Sequence, residues 1–209
     1  MSQIICDDIT MATFKEIEAY YRSLDDAYKS GQESNRFNTD RSHNATIFRF
    51  MLDKSEHIYM FCGELSVLRH SFAKYVKEDC GPADGEKVMR RMYDSLACFL
   101  SDEKKTLHII LENDISSDHK GHFVDDLVTK ELFMKALKKG QIELNALGDN
   151  LTSKEGLSHF TYTDTQIVRI EQDKVEHSAI CTMNDARYYH QIKTIYSNLS
   201  RFAVPVQLV

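Results

Sequence analysis

The residues best suited to chemistry lie in one run, from His159 to Arg169. An imidazole can act as a nucleophile, and a guanidinium can hold an anion through paired hydrogen bonds. His159 and Arg169 are ten residues apart, so both lie on one face of an extended strand if no turn or bulge intervenes. The two side chains could then face one anion.

A second group of chemically capable residues forms a polar loop that could bind a metal ion, because carboxylates and imidazoles are common metal ligands. It comprises Asp114, Asp118, His119, His122, Asp125 and Asp126. The alternative is an ordinary polar loop in which Asp125 or Asp126 caps the following helix. No matching distant ligand is recognisable, so we expect no metal and no cofactor.

Several well-known catalytic motifs are absent from the sequence, which narrows the choice of function. The sequence contains no GxSxG, Walker A, GxGxxG or HExxH pattern, which argues against the commoner hydrolases, NTPases, dinucleotide enzymes and zinc proteases. His57 and His108 fall at or inside predicted strands, where a structural role is much commoner than a catalytic one.

The elements that must position these residues follow from hydrophobic periodicity. Three continuously apolar runs, at 57–62, 107–111 and 142–147, predict buried strands separated by amphipathic helices. Thr13 and Glu16 have the spacing of a capping box and predict a first helix that ends near Gly31. Residues 160–170 and 178–182 predict an antiparallel hairpin, which is followed by a helix capped by Asp185 and ended by Pro205. The pattern predicts an α/β fold with a mixed, largely parallel sheet and helices on both faces.

Composition places the chain among globular proteins. Its 209 residues carry 26 basic and 32 acidic side chains, a net charge of −6 that does not favour nucleic-acid binding. Five scattered cysteines predict free thiols in a reducing compartment. The first twenty residues lack an apolar signal region, and no stretch could span a bilayer, so we expect a cytoplasmic protein without membrane contact.

The order of elements over roughly residues 40–203 resembles one half of the phospholipase D-like fold, the HKD superfamily. Residues 44–62, 106–112, 159–170 and 184–185 carry the resemblance. It implies a single domain in which residues 41–203 form the α/β core and residues 1–40 an N-terminal helical extension. Because halves of this fold pair about a two-fold axis, the resemblance also implies a homodimer.

Catalytic members of that superfamily carry a histidine, a lysine two residues later and an aspartate five residues after the lysine. His159 matches the histidine, but Thr161 replaces the lysine and Gln166 the aspartate. The resemblance implies that the histidine attacks phosphorus and that the lysine holds the phosphoryl oxygens. It thus makes His159 the candidate catalytic residue, and Arg169, as a substitute cation, and Asp164 the candidate ligand-binding residues. Since Thr161 supplies no charge, we expect the catalytic motif to be degenerate.

These observations favour a non-catalytic binding or scaffold protein that acts through an unknown protein partner. The alternative is a phosphodiesterase or nuclease with a non-standard site around His159, and a metal-dependent hydrolase built on the 114–126 loop ranks third. The adjacent tyrosines Tyr20 and Tyr21, and Tyr188 and Tyr189, predict that at least one of each pair is exposed or at an interface. Together with Tyr196 they favour self-association.

Overall fold

A computed structural model describes residues 12–38, 40–115, 120–148, 157–173 and 178–208. In these ranges helices and strands alternate for most of the chain. The helices are α1 Phe14–Lys29, α2 Arg41–Lys54, α3 His70–Cys80, α4 Pro82–Ser101, α5 Lys120–Asp125, α6 Lys130–Lys138 and α7 Ala186–Ser200. The strands are β1 Ser34–Asn38, β2 His57–Cys62, β3 Thr106–Leu111, β4 Ile142–Leu147, β5 Phe160–Thr163, β6 Ile167–Asp173, β7 Ser178–Met183 and β8 Ala203–Pro205. A 3₁₀ turn, Ser66–Leu68, precedes α3.

Both helix starts that the sequence predicts are confirmed in atomic detail. The Thr13 hydroxyl accepts a hydrogen bond from the Glu16 backbone N–H, and the Glu16 carboxylate accepts one from the Thr13 N–H at 2.7 Å. The Asp185 carboxylate accepts a hydrogen bond from the Tyr188 N–H at 2.9 Å. Each cap satisfies N–H groups that have no partner within the first helical turn.

The strands form one eight-stranded sheet in the order β1-β7-β6-β5-β2-β3-β4-β8. The predicted α/β class and the neighbouring positions of β2 and β3 are confirmed. The expectation of a largely parallel sheet is wrong, because among the described strands only β2–β3 and β3–β4 pair in parallel. Helical crossovers join these neighbours, whereas β5, β6 and β7 follow one another through short connections and pair antiparallel.

The C-terminal region contains one more turn than the sequence predicts. Residues 160–170 were expected to form one strand, but the chain reverses between β5 and β6 with Gln166 in the left-handed region at φ 62°. The following hairpin partner β7 and helix α7 lie where predicted. Pro205 does not end the regular structure, because it belongs to β8 and pairs with Asn145. A proline can take this place since β8 is an edge strand.

Helices cover both faces of the sheet, as predicted, and two apolar clusters result. The larger cluster lies under α1 to α6 and takes Ile109 from β3. The smaller cluster lies under α7 and takes the adjacent Ile110. Alternate residues of each central strand thus enter opposite cores, which explains why these strands are apolar at consecutive positions.

Residues 1–40 do more than extend the fold as a helix. Within the described part of this segment, β1 pairs with β7 as the outermost strand of the sheet, and Ile17 and Leu24 of α1 are buried in the larger core. The polar sequence of β1 fits an edge position, where one side of the strand faces solvent. Over the described ranges, no helix combines the length and hydrophobicity that a membrane span requires.

The exposure predicted for one tyrosine of each pair is not observed. All four side chains are partly buried within the chain. Tyr20 packs edge-on against His43, and Tyr21 packs edge-on against Phe50. Tyr188 and Tyr189 lie against the smaller core, and Tyr196 is buried in it. Long aromatic side chains can lean toward a core from both sides of a helix, so adjacency alone does not force exposure.

Candidate functional site

The turn between β5 and β6 brings His159 and Arg169 to the same face of the sheet. Thr161 lies directly opposite Arg169 in the strand pairing. Beside them, the Glu171 N–H donates to the His159 carbonyl at 2.8 Å. Residues two apart on a strand share a face, so His159, Thr161, Arg169 and Glu171 point into one cavity. The sequence argument required that no turn separate His159 and Arg169; a turn does separate them, and the pairing of β5 with β6 brings them to one face.

His159 lies between two carboxylates that sequence reasoning missed. Its Nε2 is 3.0 Å from an oxygen of Glu112, and its Nδ1 is 2.8 Å from an oxygen of Glu171. All three side chains are largely buried. The ring also packs closely over Gly63, where an added Cβ would be 3.2 Å from its Cε1 atom. The imidazole is therefore held on both nitrogens and against the backbone.

Arg169 is the cation at the base of the cavity. Its Nε donates to the Asn44 side-chain oxygen at 2.9 Å, and the same oxygen accepts a 2.7 Å hydrogen bond from the Asn38 amide. Burial lowers the pKa of the guanidinium, and the nearby Glu171 charge opposes that effect.

The cavity has a volume of about 200 Å³ and lies between the sheet and the helices α2 and α3. One wall is polar and carries the His159–Arg169 group. The other wall is mainly apolar and consists of Phe48, Met60, Leu65, Val67 and Phe72. At the rim, Arg41 pairs with Asp79 at 3.1 Å and stacks over the Tyr75 ring.

Asp164, the other predicted ligand-binding residue, does not reach this cavity. It lies beyond β5 at the opposite end of β2, where its carboxylate accepts hydrogen bonds from the backbone N–H groups of Glu56 and His57, each at 3.2 Å. Asp164 thus closes a turn. Strand direction explains the difference, since the four residues of β5 carry the chain from one end of β2 to the other.

The structure divides the polar loop that was weighed as a possible metal site. Asp118 and His119 lie outside the described residues. Asp114 and His122 line a second cavity of about 520 Å³ beside Glu112. The remaining two aspartates have cationic partners: Asp125 pairs with Lys130 at 2.6 Å, and Asp126 with Arg69 at 3.1 Å.

A different group in the described chain has the geometry to hold a metal ion. One ligand atom each from Glu56, His57 and Asp164 lie within 4.8 Å of one another. The two acids are exposed, and the Asp164 carboxylate already accepts two backbone hydrogen bonds. These hydrogen bonds give the group a structural role in the turn.

The strand histidines His57 and His108 share a polar chain on the α7 side of the sheet. The Thr106 hydroxyl lies 2.9 Å from His57 Nδ1 and 2.8 Å from His108 Nε2, and His108 Nδ1 contacts Glu143 at 2.8 Å. His108 also stacks on Tyr59, which stacks in turn on Tyr162, with ring centroids 4.7 Å apart in both cases. These contacts give both histidines structural partners, as the sequence suggested.

Comparison with known proteins finds similar structures but no similar sequence. No family model matches the chain, and no curated protein matches it. One similar structure is TrmBL2, an archaeal chromatin protein with a novel mode of DNA binding, at 12% identity and a TM-score of 0.48. The match covers 92% of this chain and 65% of TrmBL2, so the chain spans less than two thirds of that protein.

Two others carry nuclease-type names. NucT from Helicobacter pylori is 10% identical with a TM-score of 0.48, and the match covers 83% of this chain and 99% of NucT. Nuc from Salmonella typhimurium, a phospholipase D family member, is 7% identical with a TM-score of 0.49, and the match covers 84% of this chain and 99% of Nuc. Membership of the phospholipase D-like family remains a proposal for this chain.

Proposed function

We propose that this chain is a binding domain of the phospholipase D-like type that does not hydrolyse phosphodiesters. The observation that carries the proposal is the contact of both His159 ring nitrogens with carboxylate oxygens. A ring nitrogen that lies against a carboxylate oxygen is not placed to attack a phosphorus atom in the cavity, and both nitrogens of His159 are in that position.

The surroundings of His159 also disfavour a phosphodiester. Glu112 and Glu171 place two negative charges where an anionic substrate would approach. Thr161 occupies the position at which the family resemblance would require a lysine. Loss of one preorganised donor typically costs a rate factor on the order of 10²–10³, so a site without the lysine has little transition-state stabilisation left.

A test uses bis(p-nitrophenyl) phosphate as a generic phosphodiester, without added metal. We expect the parent, His159→Ala and the control His190→Ala, an exposed histidine on α7, to give the same background rate. If the parent cleaves the substrate and only His159→Ala abolishes cleavage, the alternative holds: a phosphodiesterase or nuclease that uses His159 and Arg169 in their shared cavity.

A binding domain without catalytic activity acts by contacting other molecules. We propose a homodimer that contacts a protein partner in the cytoplasm. Support comes from the two open edges of the sheet, where β1 and β8 each have one unpaired side within the described structure. The net charge of −6 favours a protein or small-molecule partner over nucleic acid.

A further inference from the structure

We infer that the cavity above Arg169 binds a small organic monoanion, a carboxylate attached to a compact apolar group. This inference rests on the proposed binding function and names the ligand class. Its starting point is that Arg169 is partly buried and lines the cavity. A buried charge is costly unless hydrogen bonds and an opposite charge compensate it.

The protein supplies only part of that compensation. Asn44 accepts one hydrogen bond from the Arg169 Nε, and a guanidinium has five N–H donors. Glu171 lies two residues along the strand, where its carboxylate contacts His159 at 2.8 Å. A ligand carboxylate in the cavity would supply the planar, bidentate partner that a guanidinium prefers.

The remaining walls limit the size and shape of the ligand. A volume of about 200 Å³ is small for a ligand site and suits a single ring or a short chain. Phe48, Met60 and Phe72 offer an apolar surface to that part of the ligand. The other rim cation, Arg41, is engaged by Asp79, so the acidic group of the ligand is directed to Arg169.

The local charge favours a carboxylate over a phosphate. Glu171 and Glu112 both lie beside the polar wall, and a phosphate dianion would face stronger repulsion from them than a monoanion would. Both ligand types would place a negatively charged oxygen against Arg169. Because a carboxylate carries one negative charge and a phosphate monoester two, a binding experiment can distinguish them.

The experiment is titration calorimetry of the full chain with benzoate, with neutral benzamide as its isostere and phenyl phosphate as the dianion. We expect benzoate to bind at least tenfold more tightly than either. Arg169→Gln should weaken benzoate binding at least tenfold. The control Arg36→Gln should change it less than twofold, because Arg36 lies in the same cross-strand row on β1 but does not line the cavity.

Arg169→Gln could fail to fold, so Ser71→Trp, an exposed cavity-lining position on α3, provides a second variant. Filling the cavity from this rim should also weaken benzoate binding at least tenfold. The inference is overturned if benzoate does not bind, if phenyl phosphate binds more tightly, or if neither variant weakens binding. A chain that cleaves no phosphodiester and binds no benzoate would contradict only this inference, whereas one that cleaves through His159 would contradict the proposed function.

Discussion

At the scale of single residues, the sequence indicates the centre of the site but not its partners. The sequence named His159 and Arg169, but the turn between β5 and β6, and not their even spacing, sets them on one face. Glu112 and Glu171 were not predictable, because their contacts depend on how β2, β3, β5 and β6 align. Glu171 falls just beyond the predicted strand 160–170. Glu112 follows β3, and no local pattern links it to residue 159.

Asp40 provides a pH-dependent test at this scale. Burial alone would raise the pKa of its carboxyl, but hydrogen bonds from the His43 side chain and backbone, with the His43 charge, outweigh burial and lower the pKa to about 2 from 3.8. A lowered folded-state pKa stabilises the fold above the unfolded value, and this stability is lost as pH falls from about 4 to about 2.

We therefore expect Asp40→Asn to lower the free energy of unfolding by about 2 kcal/mol at pH 6, since asparagine can still cap α2 but carries no charge. The difference from the parent should fall well below half of its pH 6 value by pH 2.5 in denaturant titrations. Asp94→Asn, at an exposed site on α4, is the control and should differ little at either pH. A constant difference across the range would show that the Asp40 charge is not the source.

At the scale of elements, the strands inside the sheet were predictable and those at its margins were not. The runs in β2, β3 and β4 are apolar on both faces, which is a strong signal. β1 reads SNRFN and β8 has three residues, so neither carries an apolar pattern. The reversal at residues 164–166 was missed because its left-handed position holds Gln166, not the usual glycine or asparagine.

The central strands allow a direct test of burial. Ile109 is fully buried in the larger core, and Ile109→Ala should reduce the free energy of unfolding by about 2–5 kcal/mol. The control Ile195→Ala, on α7 with 39% exposure, should cost less than about 1 kcal/mol. Chemical denaturation measures both, and equal midpoints for Ile109→Ala and the parent would mean that β3 is not a core strand.

The contact between α3 and α4 depends on a glycine. A Cβ added to Gly85 would lie 2.5 Å from the Lys77 Cα and 2.8 Å from its nitrogen, and these backbone atoms cannot move aside alone. Gly85→Ala should therefore destabilise the protein by about 1–3 kcal/mol, although alanine favours a helix.

Gly121, in α5, is the matched control because nothing lies within 4 Å of its added Cβ. Gly121→Ala should be neutral or stabilise by up to about 1 kcal/mol. Thermal unfolding of both variants tests the difference. If Gly85→Ala raises the melting temperature as Gly121→Ala does, the two helices are not packed as closely as the structure shows.

At the scale of the whole molecule, two exposed apolar side chains mark opposite edges of the sheet. Phe37 on β1 is 71% exposed, and Phe202 beside β8 is 57% exposed. The tyrosine pairs, which first suggested self-association, contact the interior of the chain instead. The sequence could not distinguish these cases, because which aromatic residues remain exposed depends on how the edge strands and helices pack.

We predict a homodimer in solution with a mass of twice 24.2 kDa. Light scattering at micromolar concentration should give that mass, and a value near 24.2 kDa would contradict the prediction. Phe37→Glu and Phe202→Glu then distinguish the edges, since a buried, unpaired charge at the interface should convert only one variant to a monomer. Phosphodiesterase assays and cavity titrations do not depend on this result.

The stacked rings of His108, Tyr59 and Tyr162 also have an optical consequence. The sequence contains no tryptophan, so the near-ultraviolet circular dichroism and emission of the protein come mainly from tyrosine. Tyr196 and Tyr189 of α7 meet this stack edge-on, which gives the rings a fixed asymmetric setting. Loosening of α7 from the sheet would therefore weaken the near-ultraviolet signal before the far-ultraviolet helix signal changes. The near-ultraviolet signal of these tyrosines thus reports how α7 packs on one face of the sheet.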